Sequence, residues 1–166
     1  MNLYLLRHGL AVEPGEHGFT KDAERPLTAK GKAKLARITA AMEKLDLSFE
    51  VILSSPYIRA RQTAEIVADA FDARKRIEFT EALTPSGNPR KLIEVINQLF
   101  SQDILLVGHE PFLSEFISSL IAGTTSVPIV MKKAGLCKLT TDSLRYGRCA
   151  TLEWLLTPKQ LLRIAG

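Results

Sequence analysis

The 166-residue sequence predicts a three-layer α/β/α sandwich around a mostly parallel central sheet. Two observations carry this prediction. Apolar runs at Leu3 to Leu6, Val51 to Leu53 and Ile104 to Val107 are short, do not alternate with polar residues, and lie between Gly, Pro and Ser. Strands covered on both faces read this way, because neither side of the sheet meets water. Between the runs, apolar residues recur three and four apart, the period of a helix with one covered face. Strands alternating with helices give parallel neighbours joined by helical crossovers.

The first strand, from Leu3, stops at Arg7-His8-Gly9, and a polar loop with Pro14, Gly15 and Gly18 runs from Leu10 to Pro26. Such a loop is longer than a plain connection, and it leaves the carboxyl end of a strand, where open α/β sheets bind ligands. Thr28 is a fair N-cap for a helix to about Leu45, whose inward stripe is Leu35, Ile38, Met42 and Leu45. After the strand at Val51, Pro56 opens a helix to about Phe71, and a further strand starts at Ile77. Pro89 opens a third helix to about Phe100, and Pro111, after the strand at Ile104, a fourth to about Ile121. Leu136 to Leu156 reads as two strands turning at Tyr146-Gly147, and a short helix follows Pro158.

The length suits one domain over residues 1–166, with no repeats, low-complexity segment or linker. Hydrophobic residues at 46% and charged residues at 24% describe an ordinary globular chain. No run approaches the ~18 apolar residues of a membrane span, and Arg7-His8 cuts the first run too short for a signal peptide, so a cytoplasmic location is expected. Cys137 and Cys149 fall in what reads as one hairpin, where a cross-strand disulfide is conceivable; in a cytosolic protein, reduced core cysteines are the expectation. The net charge of +4 permits an anionic partner. Lys30, Lys34 and Arg37 share a helical stripe that reads as a solvated face, with a docking surface for an acidic protein as the alternative. No recognition motif or basic-aromatic interleaving points to nucleic acid.

Three segments share one kind of position: "LLRHG" after the first strand, "SSPYIRARQTA" at a strand-to-helix turn, and "LLVGHEP" after a later strand. If these strands are parallel neighbours, their carboxyl ends gather Arg7, His8, Arg59 and His109 into an anion site containing a nucleophile. Arg59 and Arg61 are two apart on a helix, so only one can face such a pocket. Arg59 lies nearer the helix start, where backbone N–H groups also favour phosphate, and Arg61 is left to solvent. Ser54 and Ser55 are read as helix caps and His17 as a loop residue. Taken singly, His109 would be a core histidine and Arg59 a surface residue; their ordered occurrence on strand ends changes that reading.

The ordered set RHG, S-x-x-RA-x-QTA and GHEP resembles the histidine phosphatase superfamily, the phosphoglycerate mutase-like proteins. The short length, with "DAERPLTAKG" at Asp22 to Gly31, "SSPYIRARQTAE" at Ser54 to Glu65 and "LTPSG" at Leu83 to Gly87, looks like the SixA-type phosphohistidine phosphatases. The resemblance implies a phosphoglycerate mutase-like fold, His8 as the nucleophile that becomes phosphorylated, and Arg7, Arg59 and His109 as phosphate-binding residues. A neutral imidazole can attack phosphorus only if its other nitrogen's proton is held, which a backbone carbonyl could do. Two guanidiniums and a protonated His109 would then stabilise the equatorial oxygens. No metal or other cofactor is called for, since three histidines at unrelated spacings make a poor ligand set.

Two departures shape the substrate expectation. Leu10-Ala11 follows RHG where many members carry a polar pair, which argues against a mutase acting on small glycolytic phosphates. Glu81 is the candidate general acid for an alkoxide leaving group. Phosphohistidine leaves as an imidazole with a conjugate-acid pKa near ~6.5 and needs less help. The chain from Phe71 to Pro89 is too short for a helical lid, and an open crevice suits phosphohistidine displayed on a signalling or phosphotransfer protein. The alternatives are a small-molecule phosphomonoesterase and a noncatalytic phospho-binding module.

Overall fold

The computed structural model describes every residue from Met1 to Gly166. In chain order the elements are β1 (Asn2–Arg7), α1 (Ala29–Lys44), β2 (Val51–Ser54), α2 (Ile58–Ala70), β3 (Ile77–Phe79), α3 (Pro89–Gln98), β4 (Asp103–Gly108), α4 (Phe112–Ala122), β5 (Leu136–Thr140), β6 (Thr151–Leu156) and α5 (Pro158–Ala165). The strands form one sheet in the order β3-β2-β4-β1-β5-β6. The four strands from β3 to β1 are parallel; β5 runs antiparallel to both β1 and β6.

The unbroken apolar character of β1 has its cause in the two layers that cover it. Leu3 and Leu5 point into a core shared with Leu92 and Ile96 of α3 and Phe112 and Phe116 of α4. Tyr4 and Leu6 point the other way, onto Leu35, Ile38 and Met42 of α1, Ala64 of α2 and Leu161 of α5. Leu3, Leu5 and Leu6 are fully buried, each worth roughly 1.5–3 kcal/mol relative to exposure.

Helix starts follow the side chains that the sequence offers for them. Thr28 caps α1 by accepting from Gly31 N at 2.9 Å, and Asn88 caps α3 by accepting from Lys91 N at 3.1 Å. α2 starts at Ile58 instead of Pro56, because Ser55-Pro56-Tyr57 first makes a turn in which Ser55 Oγ accepts from Tyr57 N at 3.3 Å. α3 ends at Gln98, ahead of the expected Phe100, whose backbone is left-handed at φ 52°.

The expected tight turn at Tyr146-Gly147 is a longer excursion, with β5 ending at Thr140 and β6 starting at Thr151. Leu144, within it, is buried in the α3/α4 core, which draws the chain away from a two-residue turn. Cys137 pairs in register with Leu155, and Cys149 lies before β6 begins, so the two thiols do not face each other. Both are free, and burial pushes the Cys137 thiol up to about 12. No helix is long and apolar enough to cross a membrane. Lys30, Lys34 and Arg37 lie on the outward side of α1, against Leu162 of α5.

The loop from Leu10 to Pro26 is well tied. Ala11 bridges Leu27, Val12 N donates to Pro26 O at 3.0 Å, and Leu27 N donates to Gln62 Oε1 of α2 at 2.8 Å. Gly31 allows this packing, because a Cβ there would sit 2.2 Å from Leu10 O.

Candidate active site

β1 and β4 are paired so that Arg7 is opposite Gly108. The next residue on each strand is a histidine, and the rings of His8 and His109 stand 4.9 Å apart between centroids. Both are buried, as is Arg59. Two parallel strand ends and the first turn of α2 thus bring together residues from three separate stretches of the sequence, at the end of the sheet where open α/β folds bind ligands. Arg7, His8, Arg59 and His109 all line one cleft of about 310 Å³.

His8 Nδ1 lies 2.7 Å from Gly9 O. A carbonyl only accepts, so the proton is on Nδ1, and Nε2 carries the lone pair. Arg59 Nε donates to that Nε2 at 3.1 Å. Gly9 N donates to Thr63 Oγ1 at 3.1 Å, and the Thr63 hydroxyl donates to Arg59 O at 2.7 Å, so α2 holds the RHG turn. A Cβ at Gly9 would meet Leu35 Cδ1 at 2.6 Å, so the Leu35 side chain would have to turn aside to accept one. Burial pushes the His8 pKa down to about 3, with Arg59 and Arg7 adding to the effect against the raising influence of the Gly9 carbonyl. His8 is therefore neutral at physiological pH.

His109 is also neutral at physiological pH; the imidazolium expected from the sequence belongs to the phosphoryl-bound site. Burial drives its pKa down to about 2, and His8, Arg59 and Arg7 add to the shift while Asp22 opposes it. Its Nε2 is 2.9 Å from Ser55 Oγ, which already accepts from Tyr57 N. The Ser55 hydroxyl keeps its own proton and a second lone pair; when it donates to His109 Nε2, the ring proton is on Nδ1. Nδ1 of His109 has no partner, nor does the buried Nε of Arg7, whose Nη1 donates to Met131 O at 2.8 Å. Buried polar atoms without partners are rare and costly, and here two occur in one cleft beside the His8 lone pair. Such a site can receive an oxyanion.

A profile of the "Histidine phosphatase superfamily (branch 1)" matches residues 3–84. The phosphohistidine phosphatase SixA homolog of Haemophilus influenzae is 31% identical over 86% of this chain and 89% of its own. The chain belongs to this superfamily, as a SixA-type member. The phosphohistidine phosphatase SixA of Escherichia coli is 26% identical over 97% of this chain and 96% of its own. A solved structure of the protein histidine phosphatase SixA complexed with tungstate superimposes with a TM-score of 0.84, at 25% identity, covering 97% of this chain and 99% of that one. The phosphoglycerate mutase-like fold and the phosphatase class expected from the sequence are thereby established.

In this SixA-type phosphatase Arg59 points into the cleft, whereas the Arg61 side chain is 58% exposed and paired with Glu65 at 3.0 Å. Glu81 is not among the residues that line the cleft. β3 ends at Phe79, and the chain enters a short 3-10 turn at Glu81–Leu83. Ala82 and Leu83 take the inward positions of that turn, which leaves Glu81 exposed. Ser54 does not cap α2; its hydroxyl donates to Ser55 O at 2.9 Å. His17 lies in the loop, exposed beside Glu16.

Other cleft residues were not singled out by sequence reasoning. Asp22 and Arg25 belong to the quoted "DAERPLTAKG" stretch, so a signal existed; Asp22 bonds both Arg25 and Arg59. Glu110 was equally visible beside His109, and its carboxylate accepts from Ser114 N and Oγ at 3.1 and 2.6 Å. Lys133 comes from an irregular segment without periodicity and pairs with Glu13 at 3.6 Å. No group of three or more His, Cys, Asp or Glu side chains is arranged to hold a metal ion.

Proposed function

We propose that this histidine phosphatase removes the phosphoryl group from phosphohistidine on a signalling or phosphotransfer protein, through a phospho-His8 intermediate. The observation that carries the proposal is the pair of unpartnered buried nitrogens, Arg7 Nε and His109 Nδ1, beside the lone pair of His8 Nε2. In the first step that lone pair forms the N–P bond and the bond from phosphorus to the substrate ring breaks; the ring carries a proton from solvent on its other nitrogen, so the electron pair of the broken bond leaves on a neutral imidazole. Arg7, Arg59 and His109 Nδ1–H hold the three phosphoryl oxygens through the transition state. Water then attacks phospho-His8, releasing inorganic phosphate, and the Nε2 lone pair is restored.

The acid inventory of the cleft supports an imidazole leaving group. Burial alone would raise the Asp22 pKa, but hydrogen bonds from Arg25 and Arg59 outweigh it and hold Asp22 below the usual carboxylate value. Glu110 accepts from Ser114, Glu13 is paired with Lys133, and Glu81 stands outside. An alkoxide would lack a ready proton donor, whereas an imidazole, with a conjugate-acid pKa near ~6.5, leaves without one. The SixA relatives, described as phosphohistidine phosphatases, and the neighbour that binds the oxyanion tungstate, support the same reading.

Brief incubation with a labelled phosphohistidine protein, followed by trapping, is expected to leave acid-labile label on His8. Label surviving in His8→Ala, or label stable to acid, sinks the mechanism. A substrate panel decides the rest: turnover of sugar phosphates or nucleotides comparable with that of the phosphohistidine protein would assign a small-molecule phosphomonoesterase instead.

A further inference from the structure

The loop that leaves β1 reaches back to the cleft through Asp22. Arg59 Nη1 donates to the Asp22 backbone carbonyl at 2.6 Å, and Nη2 donates to Oδ2 of its carboxylate at 2.8 Å. Both acceptors belong to one residue and engage the two terminal nitrogens, so the guanidinium is gripped at its tip. Its flank stays free of the loop: Nε donates to His8 Nε2, and Nη2 keeps a second N–H. The other carboxylate oxygen, Oδ1, accepts from Arg25 Nε and Nη2 at 2.9 and 2.6 Å. Arg25 Nη1 in turn donates to Val12 O at 2.6 Å, closing the brace on the base of the same loop.

Exposure shows which partner depends on the other. The Arg59 side chain is 4% exposed and that of Asp22 52%. Water can solvate the carboxylate, but the buried guanidinium would lose two acceptors and the contact that sets its angle. An ordinary surface ion pair contributes ~0–1 kcal/mol; a pair with one buried, doubly bonded cation is of a stronger kind.

We infer that Asp22 is a positioning residue: it grips the tip of Arg59 so that the flank of the guanidinium faces His8 Nε2, where the phosphoryl group arrives. The inference rests on the phosphoryl-transfer reading above. A phosphoryl oxygen then meets the remaining Nη2 N–H already in place, and the Nε N–H passes to it from His8 Nε2 as that lone pair turns to phosphorus, with no rotation of the guanidinium. Arg25 is the second arm of the brace, fixing the carboxylate from the opposite side.

The test is a double-mutant cycle on phosphohistidine-protein turnover with Asp22→Asn, Arg59→Ala and the double variant. Asp22→Asn keeps the size of the side chain but turns an amide N–H₂ toward one of two guanidiniums. Its kcat is expected to fall by on the order of tenfold or more, with a smaller change in KM, because a misaligned Arg59 is felt most in the transition state. In the Arg59→Ala background the same change should alter kcat by less than about twofold, since the group it positions is gone. Wild-type turnover in Asp22→Asn overturns the inference. An undiminished Asp22→Asn effect without Arg59, or one that only tracks a lowered melting temperature, also overturns it. If Arg59→Ala itself keeps full turnover, the phosphoryl-transfer assignment of Arg59 fails first; a normal Arg59 effect with an additive Asp22 effect removes this inference alone.

Discussion

A single tautomer decides what His8 can do. Gly9 O accepts the hydrogen bond from Nδ1–H, so the lone pair falls on the nitrogen that meets Arg59. The pair Arg59 and Arg61 shows the same economy of geometry on a helix, one buried at the cleft and one paired with Glu65 in solvent. Arg59→Ala should lose turnover by on the order of 10² or more, while Arg61→Ala stays close to wild type; equal losses in a steady-state assay would refute the assignment. The two depressed histidines also make a stability statement. His8 and His109 remain neutral in the folded protein but titrate near ~6.5 when unfolded, so below that pH the unfolded chain binds more protons. Stability is expected to be level above pH ~6.5 and to fall as pH drops from there toward the folded values of about 3 and about 2. Urea unfolding of His8→Asn across that window should show a shallower acid slope than wild type; an unchanged slope would show that the histidines are not its source.

At the scale of elements, what was legible depended on whether a local rule was also the tertiary one. β1, β4 and α1 read correctly because burial on both faces and a threonine cap act within a few residues. The start of α2 was misplaced because proline's preference for a first helical turn yielded to a turn in which Ser55 also serves His109. Glu81 faces solvent because Ala82 and Leu83 take the inward positions of its 3-10 turn, an orientation that strand alternation does not fix. Asp22 and Lys133 could not be placed from periodicity, since irregular backbone has none. The contact between the loop and α1 yields its own prediction. Gly31→Ala would put a methyl 2.2 Å from Leu10 O, and the backbone must shift to take it. A destabilisation of about 1–3 kcal/mol is expected from denaturant midpoints, together with reduced turnover, because the displaced segment carries the brace on Arg59. An unchanged midpoint would mean that loop and helix separate at little cost.

For the whole molecule, the cleft and the stability of the fold are linked through any oxyanion that fills it. Tungstate at a hundredfold excess over its dissociation constant should stabilise the protein by about 2.7 kcal/mol, or roughly 5–10 °C in melting temperature. Arg7→Ala should lose most of that shift; a full shift in this variant would place the anion elsewhere.

The pairing of β1 with β4 has a consequence for the newborn chain. His8, the proposed nucleophile, is made well before His109, and the two meet only across a strand pair. A chain growing on the ribosome at roughly 5–20 residues per second therefore carries His8 for several seconds before its oxyanion cradle exists. During that interval the imidazole is an ordinary solvated side chain, with no buried donors to steady a phosphoryl group. Catalytic competence thus arrives late and all at once, when β4 slots in between β1 and β2, and a protein cut short before that point would carry the reactive residue without the reaction.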